Sequence, residues 1–274
     1  MFGYEETMRA ADALEKAGGS AGVAGISVRG RDIKYIKAGD GEKGGIIVTG
    51  GIHAREHVTA KLVVMQAQYA VKNPRLLQMP VYFVPLVNPD GAEIALLRDK
   101  PPAFFRGDAR LYKANAAGVD LNVNFDAGWG EGDANVFYPS GANYVGPFAF
   151  SEPETAALRD FTLKVKPRAT ISYHAKGRII YYDFRAPAHK KAYYRAIADV
   201  MAEKLHYAAV EDDGKSAGGY KDWCQQRLDI PAFTIEIGDD AFRHPLTEKD
   251  VQEDYARNID LPLVLQKCLL TMKK

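Results

Sequence analysis

Cysteine is nearly missing from this 274-residue chain. Cys224 and Cys268 are the whole supply. Two thiols cannot build a disulfide framework, and their spacing matches no cysteine metal site. They read as buried or incidental. Long apolar runs are missing as well. None reaches the ~18 residues that a membrane-spanning helix needs, so no membrane partner is expected. Neither sign of charge is in surplus: 36 Lys and Arg against 35 Asp and Glu leave a formal +1. That balance gives no support to nucleic acid as a partner. Residues 1–6 carry no basic stretch leading into an apolar core, so a cytoplasmic location is the expectation. Internal repeats and low-complexity linkers are lacking too.

What is present is ordinary globular composition, 47% hydrophobic and 26% charged, in a chain long enough for a sizeable core. Residues 5–16 have helical spacing (Met8, Ala11, Leu14) and end at Gly18-Gly19. Residues 23–36 read as a hairpin around Arg29-Gly30-Arg31. Ile46-Ile47-Val48-Thr49 is a short buried strand, followed by a helix to about residue 71. Residues 81–87 form a second strand, which ends at Asn88-Pro89-Asp90-Gly91, a turn. Residues 98–144, rich in Gly, Asn, Asp and Ala, read as long irregular connections, which in compact domains are usually functional or disordered. Ser151 is the expected cap of a helix to about residue 165, with Glu154 at the capping-box position. Strands are predicted at 169–173, running into His174, and at 179–182 and 231–237. Helices are predicted at 190–205 and 248–272, the last interrupted at Pro262. Strands and helices alternate, which predicts one α/β domain over residues 1–274.

Chemistry concentrates after the first buried strand. Gly50 and Gly51 let the chain turn sharply, and His53 and Glu56 follow, three residues apart. They open an apolar-periodic segment (Val58, Leu62, Met65) that predicts a helix, and on one helical face both can reach one metal ion. With six His and fourteen Glu, chance alone gives roughly 0.3 such pairs, so the pair by itself is weak. Its position at a strand end, where α/β sheets place their ligands, strengthens it. His57 reads as a packing neighbour. His174 ends another strand and taken alone reads more readily as a core histidine than as a ligand. Glu236 is the one charge inside an apolar strand, which calls for a salt-bridge partner or a metal nearby.

Five segments resemble the zinc carboxypeptidase family in order and spacing, over about residues 45–240. They are Gly51-Ile52-His53-Ala54-Arg55-Glu56, Asn88-Pro89-Asp90-Gly91, Gly118-Val119-Asp120-Leu121-Asn122, Tyr173-His174 and Thr234-Ile235-Glu236-Ile237-Gly238. The resemblance implies a mixed, mostly parallel sheet flanked by helices. It implies one zinc ion per chain on His53, Glu56 and His174, and a peptide or small amide as substrate. Glu236 would be the general base and then the proton donor. Asp120 would orient the ring of His53. Lys113, after Tyr112, stands where the family has its oxyanion-stabilising Arg; it offers charge without the bidentate fork. Arg55 and Asn122 would line the substrate cleft.

Three positions depart from the family pattern. Val123 replaces the Arg that usually follows Asn122. Gly214 lies near the place of a flexible active-site Tyr. Lys221, just before Asp222-Trp223, takes the base of the specificity pocket. An ammonium there suits a carboxylate on the substrate side chain, as in diaminopimelate or glutamate. The bacterial branch that cleaves the γ-D-glutamyl–diaminopimelate bond of murein peptides fits these departures. An ordinary carboxypeptidase, a zinc deacylase and a non-catalytic binding module of the same fold remain as alternatives.

Overall fold

Side chains alternate across a strand, so a strand buried on both faces feeds two separate cores. The computed structural model, which describes residues 1–212 and 215–272, shows this at every central strand. In chain order the elements are α1 (Tyr4–Lys16), β1 (Ser20–Ile26), β2 (Asp32–Ala38), β3 (Ile46–Thr49), α2 (Val58–Lys72), β4 (Val81–Val84), α3 (Pro89–Ala95), α4 (Pro153–Val165), β5 (Ala169–Ala175), β6 (Ile179–Tyr181), α5 (Ala188–Leu205), β7 (Ala208–Val210), α6 (Tyr220–Leu228), β8 (Ala232–Ile237), α7 (Gln252–Asn258) and α8 (Leu261–Thr271). The strands form one mixed sheet in the order β1-β2-β4-β3-β5-β8-β6-β7. Its centre, β4-β3-β5-β8, is parallel. No helix among the described residues is long and apolar enough to cross a membrane.

One core lies between the sheet and α1, α2, α5, α7 and α8. It takes Ile46 and Val48 of β3, Ile171 and Tyr173 of β5, and Phe233, Ile235 and Ile237 of β8. The other lies beneath α4 and α6 and takes Ile47 of β3 and Ala232 of β8, with Phe161, Tyr220 and Trp223. On this second face the ends of β5 and β8 turn polar: Ser172, His174, Thr234 and Glu236 alternate with the apolar residues of the first. The same period of two that builds the core therefore aims the polar side chains to one side.

Several expected features differ in detail. The strand predicted at 81–87 stops at Val84, and Asn88-Pro89-Asp90-Gly91 opens α3 instead of making a turn. Pro89 supplies the helical φ of the first turn, and Asn88 Oδ1 accepts from Gly91 N at 2.9 Å. Gly91 is needed for space, since a Cβ there would lie 2.6 Å from the Ala114 carbonyl oxygen. Glu152, not Ser151, is the cap residue of α4, because Pro153 takes the first helical position. Ser151 Oγ donates to Glu152 Oε1 at 2.8 Å. Glu154 turns inward to accept from Val28 N and Asn115 Nδ2, so no capping box forms. The closing helix is two helices, with Pro262 in the first turn of α8. Strand β7 and helix α6 are additions that the apolar spacing did not announce.

Candidate active site

β3, β5 and β8 lie side by side and parallel, so their carboxyl ends open on one crevice. His174 and Glu236 sit directly opposite each other in the β5–β8 register. Their side chains therefore leave the sheet on the same face, next to each other.

The segment that brings His53 and Glu56 to this point is not the α-helix the spacing suggested. His53 has extended backbone (φ −89°, ψ 131°) and caps a short 3₁₀ turn, Ala54–Glu56; α2 begins only at Val58. The turn is closed by Glu56 N donating to the His53 carbonyl at 3.1 Å, and anchored by Ala54 N donating to the Lys113 carbonyl at 3.1 Å. In a 3₁₀ turn, residues three apart eclipse, so His53 and Glu56 meet more directly than on an α-helix. Gly51 makes the approach: its φ of +56° is left-handed, and a Cβ would sit 2.5 Å from Leu86 Cδ1.

Four ligand atoms of three residues crowd one buried point. His53 Nδ1 lies 3.0 Å from Glu56 Oε1 and 3.1 Å from His174 Nδ1, and His174 Nδ1 lies 3.4 Å from Glu56 Oε2. Hydrogen bonds alone do not account for this triangle. A neutral imidazole carries one N–H, and each Nδ1 faces two partners. A cation at the centre satisfies all three residues together. Tetrahedral zinc with N and O ligands at about 2.0–2.2 Å sets neighbouring ligand atoms roughly 3.3–3.5 Å apart, close to the spacing observed. The donor set and its geometry thus fit zinc. Glu56 Oε2 also accepts from Ala175 N at 3.2 Å, which fixes the carboxylate.

The surrounding charges are ordered. His53 Nε2 faces Asp120 Oδ1 at 3.3 Å, an ion-pair distance without hydrogen-bond alignment, and Lys113 Nζ faces Asp120 Oδ2 at 3.0 Å. Asp120 is wholly buried and accepts from Asn122 N and Asn143 N as well. Burial opposes its charge, but Lys113 and His53 outweigh that and hold its carboxyl far below the usual range. Glu236 has the opposite fate. Loss of solvent pushes its pKa up to about 7; His174, Lys113 and Arg55 pull it down, and the Glu56 charge pushes it up. Asn122 lines the cavity and accepts from Tyr220 N at 3.3 Å through its side-chain oxygen. Val123, at the position of the missing Arg, is 7% exposed. Gly214 lies outside the described residues. His57 belongs to a different, largely apolar cavity with Leu96, Leu97 and Leu246, and burial lowers its pKa to about 4.

The crevice holds a cavity of about 240 Å³. His53, His174, Glu236, Lys113 and Asn122 are in its wall, together with Asp212, Lys221 and Asp222. Lys221 is 5% exposed. Its Nζ contacts Asp222 Oδ1 at 2.7 Å, the Asp183 carbonyl at 2.9 Å and Asp212 Oδ2 at 3.3 Å. Sequence reasoning found Lys221 but missed Asp212 and Asp222. Asp222 stood next to it in the chain, whereas Asp212 meets it only across the loop before α6. His244 was missed as well: burial first, then the Arg55 charge, keeps its pKa low, while the Glu56 charge opposes them.

Known proteins agree with this architecture. The chain is 28% identical over 250 residues to γ-D-glutamyl-L-diamino acid endopeptidase 1 of Lysinibacillus sphaericus, covering 82% of this chain and 62% of that protein. It is 28% identical over 245 residues to human carboxypeptidase B, covering 80% and 58%. The chain thus spans about three fifths of the length of these curated relatives. The crystal structure of carboxypeptidase A from Helicoverpa armigera superposes with a TM-score of 0.82 at 21% identity, over all of this chain and 75% of that one. Murein-tripeptide amidase of Escherichia coli O157 superposes with a TM-score of 0.59 at 23% identity, over 93% of each chain. The zinc carboxypeptidase family profile (peptidase M14) matches residues 6–260. With that match over nearly its whole length, the chain belongs to the zinc carboxypeptidase family.

Proposed function

We propose that residues 1–274 are the catalytic domain of a zinc-dependent metallopeptidase of carboxypeptidase type. It hydrolyses a terminal amide bond in a peptide, with γ-D-glutamyl–diaminopimelate murein peptides as the substrate class. The convergence of His53 Nδ1, Glu56 and His174 Nδ1 on one point, with Glu236 on the neighbouring strand, carries the reading. A zinc ion held by these three residues supplies Lewis-acid chemistry, acidifying water and polarising a carbonyl.

The chain's own residues do the rest. Glu236, a carboxyl whose proton affinity is raised by burial, takes the proton of the attacking water and hands it to the departing nitrogen. Lys113 presents its positive charge to the oxyanion that develops on the former carbonyl. Its ion pair with Asp120 holds the ammonium at the cavity wall. Asp120 also keeps the His53 ring turned with Nδ1 inward. Arg55 and Asn122 bind the substrate flanking the cleaved bond. The relative from Lysinibacillus sphaericus, named for a γ-D-glutamyl-L-diamino acid bond, supports the murein assignment. Recycling of such fragments in the cytoplasm belongs to the same proposal.

Metal analysis of the purified protein tests the centre. One zinc per chain is expected in wild type, with loss of zinc and of peptide hydrolysis in both His53→Ala and His174→Ala. Zinc retained at wild-type level in both variants overturns the ligand set.

A further inference from the structure

A second cavity, of about 330 Å³, lies between the sheet and the end of α4. Ser20, Lys37 and Tyr82 are register partners across β1, β2 and β4, so their side chains leave the sheet on one face. Tyr35, two residues before Lys37, joins them there. Gly22 stands opposite Tyr35, and a Cβ on it would lie 2.5 Å from the Tyr35 hydroxyl, so the bare glycine lets that ring lean over β1. α4 closes the other side with Phe161, Lys164 and Val165, which share one helical face. Tyr35 and Tyr82 meet the Phe161 ring at 4.8 and 5.7 Å between centroids. The loop that carries Glu42 and Lys43 is pinned in place. Tyr82 Oη donates to the Glu42 carbonyl at 2.8 Å, and Gly44 N donates to the Val165 carbonyl at 3.1 Å. This loop leads into β3 and the end of α4 leads into β5. The cavity therefore sits at the amino ends of the strands whose carboxyl ends lead to His53 and His174.

Its wall holds three ammonium groups, on Lys37, Lys43 and Lys164, and one carboxylate, on Glu42. Among the described residues none of these four side chains is in an ion pair. Lys37 also faces the next cavity, where Asp40 stands, and does not pair with it. The Ser20 and Tyr35 hydroxyls have no hydrogen-bond partner among the described residues either. Three ammonium groups against one carboxylate leave two positive charges in excess. That equals the charge of a phosphate monoester above its second pKa of about 6, and lysines bind phosphate as point charges. The aromatic side of the wall offers a ring something apolar to lie against. We infer that this cavity is a second binding site, for a phosphate monoester carried on the ring of a sugar or a nucleoside. Lys37, Lys43 and Lys164 hold the phosphate. Tyr35 and Phe161 take the face of the ring, and Ser20 takes a ring hydroxyl. The site stands apart from the reacting groups and does not rest on the hydrolase reading. Its volume falls within the ~300–1,000 Å³ usual for ligand pockets.

The test is calorimetric titration of the purified protein with glucosyl phosphate and with uridine monophosphate. Glucose, uridine and inorganic phosphate are the controls. At least one ester is expected to bind about tenfold or more tightly than inorganic phosphate and than its own unphosphorylated form. The tighter of the two esters identifies the ring as sugar or nucleoside. Lys43 and Lys164 are exposed, on a loop and on the outer part of a helix, so the double variant Lys43→Ala/Lys164→Ala is expected to keep its thermal midpoint. It is expected to bind the ester at least about tenfold more weakly. Lys37→Met is the second variant, with the same expected loss. Three results overturn the inference: no saturable binding of either ester at millimolar concentration, inorganic phosphate bound as tightly as the esters, or an affinity that survives in both variants.

Discussion

The two ends of the cavity solve opposite problems with similar residues. At one end, His53, Glu56 and His174 press four acceptor atoms together, with too few protons to join them. At the other, Lys221 meets Asp183, Asp212 and Asp222 with every donor matched. Buried polar groups are ordinarily satisfied within the protein. The first end is satisfied only by something brought from outside, which is what a cofactor site requires. The second is held by contacts the chain itself supplies to Lys221. A buried charge does not announce a ligand; an excess of lone pairs does.

That contrast can be broken at either end. The largest effect is expected from Glu236→Gln, which removes the proton acceptor beside the ligands and leaves them intact. Turnover should fall by about 10²–10⁴-fold with zinc content unchanged, and near-wild-type turnover would show that another group takes the proton. At the far end, Lys221→Met removes the ammonium that Asp212 and Asp222 share. Removing one member of a buried ionic cluster typically costs about 3–5 kcal/mol, to be read as a lower urea midpoint of unfolding. An unchanged midpoint would mean that the acids do not depend on Lys221. The smallest effect belongs to Asp120→Asn, which keeps the volume and weakens the hold on His53. Zinc affinity, measured by competition with a chelator, should drop by roughly 10–100-fold. No change would assign Asp120 to loop architecture through Asn122 N and Asn143 N alone.

Much of the first end was legible in the sequence. β3 and β8 read directly from short, mostly apolar runs, and Glu236 stood out as the one charge within its run. Local geometry was harder. The spacing of His53 and Glu56 fits an α-helix and a 3₁₀ turn equally, and the choice falls to a long-range bond from Ala54 N to Lys113. The same holds for Asn88-Pro89, a turn by composition and a helix start by context. The second end was legible only as a single lysine. What Lys221 does depends on a carbonyl 38 positions earlier and on Asp212 across a loop, and no periodicity encodes such meetings.

With Glu236 as the proposed base, the pairing of position 174 with position 236 ties reactivity to strand alignment. If β8 docked one residue out of step against β5, Glu236 would point into the core beneath α2 and α5, and an isoleucine from position 235 or 237 would stand beside His174. Such a molecule would keep His53, Glu56 and His174 and still load with metal. It would also stay inert. The active fraction of a metal-replete preparation therefore measures how faithfully the last sheet strand has found its place.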